Sequence, residues 1–459
     1  VPELLRRGYK VRVMVRGDAG SARSLFPGTE IVEADALSLD QLRTALKGID
    51  TAFYLIHSLY LGPKEFEAAD IEAARNFRKV AEEEGLKRII YLGGLGDIRV
   101  ALSSHLRNRI EVAAELSKGS VPVTILRAAI VIGSGSASYE IIQYLVRRLP
   151  VIIIPHWARN RCQPISIRDV IKYLVGVLET PETIDRYYDI GGGDVLSYTD
   201  MLKNLASILN RKIIIIHIPI SIMSIYAYVV SLLTPVPNTI VRCLITGLKN
   251  EVVCQDDSIK RILLFEPISY REAIVGAMTR EEQDRVYARW SDAYPPAHEL
   301  ALKLRELGGQ TGYSAEYSLL TFKDSNSLFR SICKVGGREG WFHSNWMWRL
   351  RGAVDRILLG VGSSRGRKRR SRVEVNDVID FWRIEDVRFN RRLLLRSEMK
   401  LPGKAWLEFN IGEESEMRRL TVRASYDAHT LFGKIYWYIF LPFHSFIFKY
   451  LIQAIERRS

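Results

Sequence analysis

Cysteine is scarce in this 459-residue chain. Its four copies, Cys162, Cys243, Cys254 and Cys333, are scattered, with no Cys-x-x-Cys pair and no histidine at ligand spacing. A disulfide framework and a structural zinc site are thereby excluded, no metal is expected, and a reducing cytoplasm is the compartment that fits. Uninterrupted apolar runs of membrane-spanning length are missing too. Residues 213–241 carry no Lys, Arg, Asp or Glu, yet Pro219, Pro235 and Pro237 divide them and leave 15 unbroken residues, short of the roughly 20 that a spanning helix needs. The aromatic C-terminal stretch is interrupted by Lys434, Pro442 and Lys449. Neither is expected to cross a bilayer; core packing and a helix lying on a membrane surface are the two readings left. Acidic residues run short only in the last third: residues 300–459 hold 17 Asp and Glu against 29 Lys and Arg, a net +12 of the chain's +14.

What is present is the composition of a folded protein. A content of 47% hydrophobic and 26% charged residues over this length suits two or three domains and excludes disorder as the main state. From Lys10 to about Val131 strand-like runs (KVRVMVR, EIVEAD, TAFYLIH, RIIYLGG, VTILRAAIVIG) alternate with helical segments near 63–84 and 106–116. Strands apolar on both faces and separated by helices predict a doubly wound α/β domain with a parallel sheet. In EFEAADIEAARNFRKVAEEEG the residues Phe66, Ala69, Ala73, Phe77, Val80 and Ala81 form the stripe that would lie on that sheet. Residues 160–290 read as a small lobe attached to this domain, which closes at 290. Residues 291–311, with Tyr294, Pro295 and Pro296, read as a linker. Beyond it a Trp-rich helical stretch precedes short-linked strands (DVIDFWRIEDV, RLLLRSEM, AWLEFNI, RRLTVRAS), the pattern of an antiparallel sheet within residues 312–459.

The segments LLRRGYKVRVMVR, VEADALSLDQLRTALKGIDTAFYLIHS, NFRKVAEEEGLKRIIYLGGLG, PVTILRAAIVIGSGS and PISIRDVIKYL resemble, in order and spacing, the NAD(P)-binding half of atypical extended short-chain dehydrogenases, the NmrA-like group. The resemblance covers about residues 1–215 and implies a Rossmann-type fold. It also implies that a first strand and a Gly-rich phosphate turn belong just before Val1. Dinucleotide binding is then expected to be poor unless about a dozen upstream residues are restored. Arg16, closing the second strand of that scheme, stands where an acidic residue would bind a ribose hydroxyl; a guanidinium there favours NADP over NAD. By the same resemblance Asp35, with Ala36 beside it, contacts the adenine, and Ile56, His57 and Ser58 pass the nicotinamide-side ribose.

The catalytic positions depart from the family. Its Ser gives way to Gly93 and Gly94, and its Tyr-x-x-x-Lys pair to His105 and Arg109. Imidazole can transfer protons near neutral pH, so His105 with Arg109 is the candidate replacement, although a neighbouring guanidinium would weaken it as an acid. Ser103 and Ser104 read as helix caps.

Residues 312–459 are similar to the START and polyketide-cyclase helix-grip fold in WFHSNWMWRLRGAVDRILLG, DVIDFWRIE, EMKLPGKAWLEF and YWYIFLPFHSFIF. That likeness implies an apolar cavity for a lipid, quinone or polycyclic compound, with Trp341, Trp346, Trp348, Trp382 and Trp406 as candidate lining. The expected function is an NADP-binding oxidoreductase-like protein that acts on or senses a bulky hydrophobic molecule; the alternative is a non-catalytic cofactor sensor. Peripheral contact with the inner face of a membrane is expected through residues 365–372 and 431–452. Nothing resembles a nucleic-acid reading helix or an RNA-binding strand motif, so no nucleic acid is expected.

Overall fold

The computed structural model describes all residues except 17–21, 24, 58–64, 97–101, 220–222, 280–303, 305–311, 337–339, 343–344, 359, 363–372, 376 and 429, and leaves undescribed the side chains of 65 and 66. Ser58, the basic run 365–372 and all of the expected linker except Leu304 therefore lie outside the described residues. The chain divides into two compact units, Val1–Thr234 with Asn238–Trp290, and Pro235–Pro237 with Ser291–Ser459.

In the first unit a short helix α1 (Pro2–Arg6) starts at a proline, and the chain turns out of it at Gly8 with φ +83°, a left-handed conformation natural to glycine. Strands β1 (Arg12–Val15) and β2 (Glu30–Glu33) pair in parallel, Val13 opposite Ile31. Strands β3 (Thr51–Tyr54), β4 (Arg88–Gly94), β5 (Val123–Ala128) and β6 (Tyr187–Ile190) form a second parallel sheet in the order β6-β5-β4-β3. Helices α2 (Leu39–Leu46), α3 (Glu65–Glu83) and α4 (Ser104–Leu116) cover one face, and α5 (Ile167–Glu179) covers the other.

Strand β4 shows why its sequence is apolar throughout. Ile89 and Tyr91 point into the core with Phe77, Val80 and Val112, whereas Ile90 joins Leu126, Val170 and Tyr173 on the opposite face. Met14 of β1 packs against the first of these cores, so both sheets share one helical layer. The parallel α/β architecture is as expected from the alternation. One difference concerns the region expected as an added lobe: Tyr187–Ile190 joins the main sheet beside β5, with Tyr188 and Ile190 buried. Too short to show a period of its own, that strand is defined by its partner. The rest of the region includes a parallel pair, Val151–Pro155 with Ile214–Ile218.

The second unit is a six-stranded antiparallel sheet in the order β7 (Tyr313–Thr321), β12 (Met417–Asp427), β11 (Lys404–Glu414), β10 (Arg392–Ser397), β9 (Trp382–Arg388) and β8 (Val378–Ile379). The edge strand β7 was not apparent in the sequence pattern. One face packs against helix α6 (Asn345–Ile357) and the 27-residue helix α7 (Leu431–Arg457), which contributes Ile447, Phe448, Leu451, Ile452 and Ile455 to the core. The indoles expected to line one cavity are distributed otherwise. Trp341 stacks on Trp348 at 4.5 Å and both meet Trp382 in the core, while Trp346 is exposed. Trp406 lies on the other face of the sheet from Leu407, against Leu304 and Leu394.

Candidate functional site

Because β1 pairs with β2 in parallel and β3 to β6 form a parallel sheet, the C-terminal ends of the strands in each share an edge, and in open α/β sheets that edge is where ligands bind. Arg16 is exposed immediately after β1. Its neighbour strand β2 leads through Ala34, whose N–H donates to the Val15 carbonyl, into Asp35. The Asp35 carboxylate oxygen Oδ1 accepts from the Leu37 N–H, and the Asp35 N–H donates to Gln41 Oε1, which holds the residue in a tight turn ahead of α2. Ala36 is buried in the core beside Leu42. Ser38 occupies the N-cap position of α2 without a side-chain cap bond. Beyond β3, Ile56 is half-buried against the core and His57 turns inward.

His57 belongs to a polar cluster centred on a residue that sequence reasoning missed. Asp70 of α3 is 1% exposed, and its Oδ2 accepts from Asn108 Nδ2 at 2.8 Å, Arg109 Nη2 at 3.0 Å and His57 Nδ1 at 3.0 Å. The signal was a carboxylate on the apolar stripe: Asp70, Ala74, Phe77 and Ala81 share one helical face, and the last three are buried. A buried charge persists only when paired and hydrogen-bonded. Donation from Nδ1 leaves His57 Nε2 as the acceptor nitrogen. The His57 and His105 rings stack with centroids 5.1 Å apart and planes 30° from parallel. All three α4 residues reach the cluster from one helix, which starts at Ser103: its Oγ accepts from the Leu106 N–H, the cap expected there.

The environment keeps both imidazoles neutral. Burial, then the neighbouring His57 and Arg109, pushes His105 down to about 3. Burial also lowers His57, against the upward pull of its Asp70 hydrogen bond. An imidazolium acid at His105 is thus not the species present at neutral pH. Nor is Arg109 an open cation: its side chain is 8% exposed, ion-paired to Asp70, and lies over the Tyr91 ring at 5.7 Å. Burial raises the Tyr54 phenol and lifts Tyr91 to about 12, and the Tyr91 hydroxyl donates to the Arg109 carbonyl.

The glycines at the end of β4 belong to the same arrangement. A Cβ on Gly94 would lie 3.2 Å from Leu106 Cδ2 and 3.3 Å from Arg109 Cγ, and one on Gly93 would lie 2.9 Å from a Tyr91 ring carbon. A side chain at Gly94 would therefore press on Leu106 and on the stem of Arg109.

Buried polar atoms of the cluster, among them His105 Nδ1, Asn108 Oδ1 and Arg109 Nε, have no hydrogen-bond partner among the described residues. Such atoms are costly by about 1–3 kcal/mol each unless a ligand or water satisfies them. With Arg16 and Asp35 on the same edge, this donor and acceptor set fits a dinucleotide and a polar ligand group. Thiol chemistry has no comparable basis, since burial pushes Cys162 up to about 11 and Cys243 and Cys254 up to about 12. An open pocket of about 660 Å³, lined by Glu182, Arg186, Tyr187 and Asp256, lies at the start of β6, the opposite edge of the sheet.

Residues 1–143 match the family described as NAD(P)H-binding, and residues 308–451 match one described as a protein of unknown function, DUF2867. No curated protein matches the chain. Solved structures similar to it include a nucleoside-diphosphate-sugar epimerase from Staphylococcus aureus (14% identity, 60% of this chain and 93% of that one, TM-score 0.48). Others are the triphenylmethane reductase of Citrobacter sp. complexed with NADP(H) (16%, 58% and 90%, 0.47) and the Bordetella bronchiseptica enzyme WbmG in complex with NAD and UDP (14%, 63% and 90%, 0.47). The N-terminal region is an NAD(P)H-binding domain of the Rossmann type.

Proposed function

We propose that this protein is an NADP(H)-dependent oxidoreductase-like protein whose Asp70 cluster takes the place of the short-chain dehydrogenase triad. The observation that carries the reading is that His105 Nδ1 and Asn108 Oδ1 are buried and unsatisfied among the described residues, beside His57 at the strand ends. Arg16 would pair with a 2′-phosphate and Asp35 would accept from the adenine amino group. When bound, the nicotinamide gives or takes a hydride. In the oxidising direction His57 Nε2 accepts the proton of a substrate hydroxyl, and the Asp70 carboxylate stabilises the imidazolium that forms. His105, neutral, hydrogen-bonds the substrate oxygen without supplying charge. In this reading the substrate is a bulky apolar molecule.

A specific observation favours a second reading, a cofactor sensor without turnover: Arg109, at the position of the family's lysine, is buried on Asp70 and does not face a ligand. Nucleotide titration of the protein tests the shared premise. NADPH is expected to bind about tenfold or more tightly than NADH, and Arg16→Ala is expected to erase the difference; equal affinities would remove the 2′-phosphate assignment. Mass spectrometry of co-purifying molecules, followed by NADPH-oxidation assays on what is found, separates the two readings. Turnover lost in His57→Gln with NADPH affinity retained supports the enzyme, and absence of turnover supports the sensor.

A further inference from the structure

We propose that the exposed faces of α6 and α7 form one surface that docks the protein onto an anionic lipid bilayer, lying on it without crossing it. On α7 the residues Phe432, Ile435, Ile439, Phe443, Phe446 and Tyr450 recur every three or four positions, and all are exposed, Phe432 by 81% and Ile439 by 58%. This stripe runs for about 27 Å along the helix. Length and composition alone would let α7 span a membrane. Packing forbids it, because the opposite side of the helix, from Ile447 to Ile455, is part of the core of the antiparallel sheet. Only one side is available to lipid, which is the geometry of an interfacial helix.

Helix α6 extends the same surface. Trp346, Leu350, Val354 and Ile357 line its outer side, with Trp346 64% exposed. The Arg351 guanidinium lies 5.4 Å from the Tyr436 ring and 6.0 Å from the Phe440 ring, and Trp348 meets Phe448, so the two helices are neighbours.

The charge of these helices selects the occupant. Arg349, Lys434 and Lys449 are exposed, whereas the acids are engaged: Asp355 is buried and accepts from the Gly362 and Lys400 N–H groups, and Glu456 accepts from Thr321 Oγ1. Among the described residues neither helix exposes an acid. A one-signed cationic surface rich in Trp, Tyr and Phe matches the headgroup region of an anionic membrane. A second copy of this chain would bring the same cations into repulsion. The basic run 365–372 lies outside the described residues.

Vesicle flotation of the full chain tests the proposal, using phosphatidylcholine vesicles with and without phosphatidylglycerol. The protein is expected to float with the anionic vesicles, less so as salt rises, and to stay down with phosphatidylcholine alone. Phe432→Asp with Ile439→Asp is expected to cut the floated fraction about tenfold, while circular dichroism and thermal melting stay those of the wild type, because both side chains are exposed. Absence of flotation at low salt, or equal flotation of the double variant, would overturn the proposal. So would self-association that the double variant abolishes in a protein that never floats.

Discussion

Asp70 illustrates how one side chain organises a site. Three donors converge on a single carboxylate oxygen in a buried environment, so removing the charge leaves the Arg109 guanidinium buried and uncompensated. Asp70→Asn is expected to cost about 3–5 kcal/mol, read as a lower urea midpoint. Adding Arg109→Met is expected to recover part of that loss, because no unpaired charge then remains. The two imidazoles give a second prediction. His105 holds its proton only below about 3 in the folded state, against an ordinary imidazole value of 6.5. Between those values the unfolded chain binds the proton and the folded protein does not, so stability is complete above 6.5 and falls as pH drops toward 3. His57 is shifted in the same direction. His105→Gln is expected to reduce proton uptake on unfolding near pH 5 by about one, measured from the pH dependence of the urea midpoint. An unchanged slope would place His105 in a solvated environment.

The contact between β4 and α4 leaves little room for a side chain at Gly94, where Leu106 and the Arg109 stem lie close. Gly94→Ser, which restores the residue type of the resembling family, forces Leu106 or Arg109 to shift and is expected to destabilise by about 1–2 kcal/mol, without creating dehydrogenase activity. A stable and more active Gly94→Ser protein would show that the helix yields easily. Much of this element was legible in the sequence. RIIYLGG has the run of apolar residues that burial on both faces requires, and Ser103 marks the start of α4 by its capping chemistry. What the sequence pattern did not reveal was proximity. Gly93 and Gly94 read as a lost serine, and only the packing showed which side chain fills the space. The edge strand Tyr313–Thr321 was missed for a related reason, since its first eight residues are at most half-buried and the strand has a ladder partner on one side only.

Across the whole molecule, two units with separate sheets and cores imply two unfolding events. Calorimetry is expected to show two transitions. NADPH at a hundred times its dissociation constant is expected to stabilise one of them by about 2.7 kcal/mol and to leave the other unmoved. If both transitions moved together, nucleotide binding would be coupled to the second unit, as the sensor reading requires.

Periodicity along the chain was enough to establish the α/β class of the first unit, the antiparallel strands of the second, and the strand ends where Arg16, Asp35 and His57 stand, because a period of two or of three to four records which face is buried. Partner choice carries no such record. Asp70 meets His57, Asn108 and Arg109 across 13, 38 and 39 residues of sequence, and a low imidazole pKa follows from how much water the packed helices exclude. Those outcomes depend on distances between separate elements and on the local dielectric, which exist only once the chain is folded.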